Sequence, residues 1–229
     1  MPPGSIRRAP AGVALLTLAV ALALAAGATA SQAPSAYRQL LPVDEATKDP
    51  SLLTTRSRLI QACVRRDRAV LRAVLAPDLF YSFGGGRPGP DGFFRYWDRQ
   101  PPQALWEALA AVLALGGTYR IVDGTPTFTA PYVFATWPET LDPFDHVAIL
   151  GENVAVRARP DLRAPVLTRL SFAIVPTLAR DRARWVRVRL ADGGVGYVAA
   201  EFARSPIDFR AVFQKRGGSW RMTAFVAGD

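Results

Sequence analysis

Apolar and polar residues alternate with three different rhythms along the chain. Over residues 52–75 the period is helical. Leu52, Leu53, Leu59, Ile60 and Val64 share an apolar stripe, with Arg56, Arg58, Arg65 and Arg66 opposite. Asp67 restarts a second short helix through Val70, Leu71, Val74 and Leu75, and Pro77 ends it. Residues 79–83 are apolar and aromatic, a strand pattern, and a Gly/Pro loop follows over 84–90. Asp91 is placed to cap a helix carrying Phe93, Phe94, Tyr96 and Trp97. Pro101 and Pro102 open another, with Leu105, Trp106, Leu109, Val112 and Leu113 on its apolar face and Gly116-Gly117 at its close. Strands are expected over 118–122 and 127–137, with Asp123-Gly124 between them as a hairpin signal. From Val147 onward the texture is short strands and turns. At the end, Phe209, Ala211 and Phe213 alternate with Arg210, Val212 and Gln214. After a turn at Arg216-Gly217-Gly218, Trp220, Met222 and Ala224 alternate with Arg221, Thr223 and Phe225. This is a β-hairpin pattern.

The first 50 residues follow a different logic. Arg7 and Arg8 precede an apolar run over 11–26, and Gly27-Ala28-Thr29-Ala30 supplies the small residues a signal peptidase reads. Residues 1–30 therefore read as a secretory signal peptide, cleaved after Ala30. The apolar run is shorter than the ~20 residues a spanning helix needs, so no stable membrane span is expected after cleavage. The expected location is extracytoplasmic, in a bacterial periplasm or secreted. Residues 31–50 read as a linker, since Leu41-Pro42 and Asp49-Pro50 interrupt any helix.

Composition narrows the classes. The 229 residues are 50% hydrophobic and 21% charged, which excludes global disorder. One Cys (Cys63) excludes an internal disulfide framework, and one His (His146) excludes a His-rich metal site. The formal net charge is +9, carried by 26 Arg against the two lysines Lys48 and Lys215. The arginines are scattered. Export and the lack of a basic stripe speak against nucleic acid as partner, while anionic envelope polymers fit the charge.

Residues 150–204 carry a recognisable pattern. Gly151-Glu152-Asn153-Val154-Ala155-Val156-Arg157 opens it, and Pro165-Val166-Leu167 follows. Trp185-Val186-Arg187-Val188, Asp192-Gly193 and Gly196-Tyr197-Val198 close it. The segment resembles a bacterial SH3 (SH3b) domain. It departs from the family pattern in three places. The closing aromatic is Tyr197 rather than Trp, Ala173 stands for the turn glycine after Leu170, and one extra residue separates Asn153 from Val156. Five short strands bury a core only by curling into a small barrel. Val154, Val156, Val166, Leu170, Val186, Val188 and Val198 are its expected core. The resemblance implies a non-catalytic binding module for cell-wall polymer or a protein segment. Trp185, Tyr197, Phe202, Arg157 and Asp192 are the candidate groove residues.

The flanking regions resemble the NTF2-like (SnoaL-like) fold, through Arg66-Asp67, Ala76-Pro77-Asp78 before Phe80-Tyr81-Ser82-Phe83, and the terminal Gly218-Ser219-Trp220 stretch. The expected fold class is therefore α+β: an NTF2-like domain over 51–147 plus a small SH3-like all-β barrel over 148–205. An isolated hairpin is marginal in water. Residues 206–229 are accordingly expected to complete the α+β sheet, with extension of the barrel as the alternative. The NTF2-like resemblance implies a pocket for a small ligand, or hydrolytic chemistry, with Tyr81, Phe83, Trp97, Tyr119 and Phe128 as candidate lining.

Other chemistry is sparse. Gly84, Gly86 and Gly89 match a dinucleotide fingerprint, but Pro88 and Pro90 spoil the tight strand-to-helix turn it needs. Glu139, Asp142, Asp145 and His146 fit no standard ligand spacing, and Ser82 lacks a nucleophile elbow. No catalytic set, metal site or cofactor is expected.

Overall fold

The computed structural model describes residues 36–178 and 184–228. The expected signal peptide (1–30) and the start of the expected linker (31–35) lie outside them.

Residues 36–50 are built into the fold rather than linking two parts of it. Gln39 bridges to Ala173, and Leu40, which is buried, donates its N–H to the Phe172 carbonyl at 2.7 Å. A few residues on, Asp44 pairs with Gly117, and the Glu45 carboxylate accepts from Tyr119 N–H at 2.8 Å. A 3-10 turn, Ala46–Lys48, then buries Ala46 completely. Asp49-Pro50 starts a helix instead of breaking one. The Asp49 side chain accepts from Ser51 N–H at 2.8 Å and from Leu52 N–H at 3.2 Å. Pro50 sits at the first helical position, where no N–H is needed.

Helix α1 is Pro50–Arg65. Its core face is Leu52, Leu59, Ala62 and Cys63, whereas Leu53, Ile60 and Val64 of the expected stripe are exposed. Arg66 takes a left-handed φ of 55° and ends the helix, and Asp67 caps α2, Arg68–Val74. Leu75 does not finish that helix. It begins strand β1, Leu75–Phe80, which contains Pro77. Proline is tolerated there because β1 lies at the edge of its sheet.

Helix α3, Pro90–Trp97, is capped by Gly89 rather than Asp91, which falls in the first turn. Gly89 has φ 98°, and a Cβ there would stand 2.4 Å from the Pro77 carbonyl oxygen, so only glycine fits. Helix α4, Ala104–Ala114, begins after Pro101 and Pro102. Strands β2, Thr118–Val122, and β3, Thr125–Ala130, join through Asp123 and Gly124, both left-handed. Strand β3 stops short of the expected Trp137. Pro131 has no N–H for the ladder, and the chain turns into the short helix α5, Tyr132–Ala135.

The next segment carries seven described strands, β4 His146–Ile149, β5 Val154–Arg157, β6 Val166–Leu170, β7 Ile174–Pro176, β8 Trp185–Arg189, β9 Val195–Ala199 and β10 Ala203–Arg204, with a 3-10 turn at Ala200–Phe202. These form two sheets, β10-β4-β7 and β6-β5-β9-β8. A Thr177–Val188 bridge and a 2.9 Å bond from Leu178 N–H to the Arg187 carbonyl join β7's end to β8. Val154, Val156, Leu170, Val188 and Val198 are buried between the sheets with Val147, Ile149 and Val175. Two expected core valines are not. Val186 is half-buried, and Val166 is exposed because the β5–β6 register shifts between Val156 and Arg157, setting Val166 opposite the outward-facing Arg157.

The chain ends in β11, Arg210–Arg216, and β12, Ser219–Val226. The five-stranded sheet has the order β1-β12-β11-β3-β2, with β12 parallel to β1 and β11 antiparallel to β3. The terminal hairpin thus fills the middle of the sheet. Phe213, Trp220 and Met222 face the helices, as their alternation predicts. Past Met222 the phase flips. Val212 pairs with Ala224 and Phe213 with Met222, so Thr223 is an extra residue, and Phe225 rather than Ala224 enters the core.

Candidate binding groove

The groove lies on the outer face of the β6-β5-β9-β8 sheet. On β9, Gly196 and Val198 point inward, so Val195, Tyr197 and Ala199 point outward. On β8, Val188 points inward and Trp185, Arg187 and Arg189 lie on the other face. Close packing holds the two strands in place. A Cβ on Gly196 would come within 2.3 Å of Val156 Cγ1, so this inward position must be glycine. The β8–β9 turn is set by Gly193 at φ 85° and by the Asp192 carboxylate, which accepts from Gly194 N–H at 2.8 Å.

Trp185 pairs with Ala199 across the ladder. Phe202, in the 3-10 turn Ala200–Phe202, is 44% exposed, and Leu162, in the β5–β6 loop, is 68% exposed. These side chains, with Ala155 and Arg157, border a depression of about 250 Å³. A wider, shallower one of about 570 Å³ continues past Trp185 to Arg163, Arg184 and Glu201. The floor is apolar and the far rim carries both signs of charge, Arg163 and Arg184 with Asp161 and Glu201, which suits a ligand with both an apolar and a polar part.

Three of the five candidate groove residues therefore converge: Trp185, Phe202 and Arg157. Arg157 is partly committed, since its Nη1 donates to the Ala164 carbonyl at 2.9 Å and pins the β5–β6 loop. Tyr197 lies on the same face but beside the depression, opposite Arg157 and Arg187 in the ladders. Asp192 sits in the turn and shapes it. Leu162 and Arg184 are not legible as groove residues in the sequence. Leu162 lies in a loop with no periodicity, and Arg184 becomes a neighbour of Trp185 only as β8 starts.

Two local features match the departures in the SH3-like pattern. Asn153 takes φ 54°, a conformation Asn tolerates well, and its N–H donates to Ser171 Oγ at 2.9 Å. The left-handed residue after Leu170 is Phe172 at φ 49°, not Ala173, which instead bridges to Gln39.

Residues 151–202 match the family model of the bacterial SH3 domain. Comparison with curated proteins finds no match to the chain, and comparison with solved structures finds none. The groove belongs wholly to this SH3 segment.

Other candidate residues are dispersed. Phe128 and Trp97 are in the core of the α+β part, Tyr81 packs on Phe93 and Tyr96, and Tyr119 packs on Trp220. Phe83 is 51% exposed. The five aromatics expected to line a pocket therefore do not surround a shared hollow. Among Glu139, Asp142, Asp145 and His146, Asp142 accepts from Phe144 N–H in its own turn, and His146 Nδ1 lies 3.0 Å from the Asp142 carbonyl. Among the described residues, no three His, Cys, Asp or Glu side chains converge as metal ligands. Ser82 Oγ accepts from Gly84 N–H and shapes the Gly-rich loop. Also among the described residues, no helix is long and apolar enough to cross a membrane.

Proposed function

We propose that this is an exported, non-catalytic binding protein of the bacterial cell envelope. Its SH3 barrel, residues 148–205, is an insertion in an NTF2-like α+β domain, and its groove takes peptidoglycan or a protein segment. A bacterial SH3 segment is a binding module, and this one holds Trp185, Leu162 and Phe202 together at the surface beside a depression. That exposed apolar cluster carries the reading, because apolar side chains gathered around a concavity are what a partner covers. The pairing of β11 and β12 with β1 and β3 supports the insertion. Export rests on the layout of residues 1–30.

Sedimentation of the mature chain (31–229) with purified peptidoglycan, alongside a bead-bound peptide library, tests the groove. Retention on either that Trp185→Ala abolishes, with an unchanged melting temperature, is the expected result. Retention that survives Trp185→Ala would place the ligand elsewhere.

A further inference from the structure

The outer face of the SH3 sheet presents a run of exposed arginines along β8. Residues 151–202 contain nine Arg, no Lys and five acids. Arg184, Arg187 and Arg189 are exposed. None of the three has an ion-pair partner among the described residues. Asp192, three residues after Arg189, accepts from Gly194 N–H, and Asp161 and Glu201 border the depression with Arg184 without an ion pair to it among the described residues. Some arginines of the α+β part are paired: Arg56 with Asp44 at 2.6 Å, Arg68 with Asp98 at 2.7 Å and Arg216 with Asp78 at 2.7 Å. Of the unpaired set Arg184 lines the depression, and Arg187 and Arg189 continue from Trp185 along the same face of β8, beyond its border.

The arrangement has a period. Trp185, Arg187 and Arg189 succeed one another on one face of β8. Alternate residues of a strand stand about 6.6 Å apart, so an apolar contact and two guanidinium groups are spaced as the alternate side chains of an extended peptide. Across the sheet, Arg187, Tyr197 and Arg157 form one row through the β8–β9 and β5–β9 ladders. Tyr197 is thereby flanked in the ladders by two arginines. Each Arg fork matches a carboxylate in geometry.

Resting on the groove reading above, we propose that the occupant is an extended acidic segment of a partner protein. It places an apolar side chain against Trp185 and Leu162, and carboxylates at the next two alternate positions over Arg187 and Arg189. Arg184 and Arg157 flank it on either side. The segment lies across the sheet face. β8's free edge is not required, since Leu178 already donates to the Arg187 carbonyl there.

The probe is a fluorescein-labelled peptide, Leu-Thr-Glu-Thr-Glu-Thr, against its Leu-Thr-Gln-Thr-Gln-Thr counterpart, read by anisotropy with the mature chain. The Glu peptide binds and the Gln peptide binds about 2- to 30-fold more weakly, the combined worth of two exposed ion pairs. Arg187→Gln with Arg189→Gln weakens the Glu peptide by a similar factor, leaves the melting temperature unchanged and reduces the salt dependence. Equal binding of the two peptides, or an unaffected double variant, overturns the proposal. Purified peptidoglycan and inorganic polyphosphate are the comparison arms, and binding of either without the Glu peptide also overturns it. A chain retained on peptidoglycan through Trp185 but blind to the peptide leaves the groove reading standing. A chain that binds none of these probes and nothing from the library ends both.

Discussion

Replacing Asp49 with Ala removes a joint between helix α1 and the terminal hairpin. The Asp49 carboxylate caps α1 through Ser51 and Leu52 N–H, accepts from Ser51 Oγ at 2.6 Å, and takes a 2.7 Å bond from Lys215 Nζ on β11. Ser51 Oγ in turn accepts from Trp220 Nε1 at 3.2 Å on β12. Loss of an N-cap costs about 1 kcal/mol. Stranding the Lys215 ammonium, whose side chain is 29% exposed, costs about a further 1–3 kcal/mol. The expected loss is therefore about 2–4 kcal/mol, read as a shift in urea midpoint at constant m-value by Trp fluorescence. A cycle with Lys215→Met should return a coupling of about 1 kcal/mol or more. The same atoms set the pH dependence. Burial pushes the Asp49 carboxyl up, but hydrogen bonds from Lys215, Ser51 and the cap amides outweigh it and hold it well below the usual carboxylate range. The folded state thus binds this proton more weakly than the unfolded state. The stabilisation is complete above the unfolded value of about 3.9 and is lost as pH falls below it. Asp49→Ala should flatten that part of the acid limb. A cost under about 0.5 kcal/mol, or an unaltered acid limb, refutes the role of Asp49 as a joint.

Phe213→Ala empties a fully buried site in a central strand and should cost about 3–5 kcal/mol in the same urea titration; a cost below about 1 kcal/mol would mean the hairpin does not sit in that core. Gly196→Ala drives a methyl into Val156 and should cost about 1–3 kcal/mol, with partial rescue by Val156→Ala; a neutral outcome contradicts the strand packing. Burial pushes the Cys63 thiol up to about 11, so alkylation at pH 8 should track urea unfolding, and rapid labelling of the native chain would refute its burial.

Short-range signals are readable residue by residue. The α4 apolar residues, the Asp123-Gly124 and Gly217-Gly218 turns and the alternation of Phe213, Trp220 and Met222 all declare themselves, because a helix or hairpin is specified by neighbours within a few positions, whereas the α1 stripe is read only in part, with Leu53, Ile60 and Val64 exposed. Asp49-Pro50 misleads for a local reason. The pair that interrupts a helix from within also begins one, and its role is settled by whether the residues C-terminal to it form a helix. The flip at Thr223 is beyond the sequence, because a bulge is defined by the partner strand. Likewise, Pro77 stands in a strand only because β1 is an edge.

The groove divides the same way. Trp185 and Tyr197 announce themselves by type and spacing within an SH3-like pattern, as do the valines that close the barrel beneath them. That Phe202 and Leu162 meet Trp185 while Tyr197 stands aside, opposite two arginines, depends on loop paths and ladder registers that pair residues dozens of positions apart. The amino-acid sequence alone therefore determined most of the elements, the SH3-like segment and five of its seven expected core residues. Tertiary structure decided which half-exposed side chains share a surface, because contact between distant positions is a property of register and closure rather than of local preference.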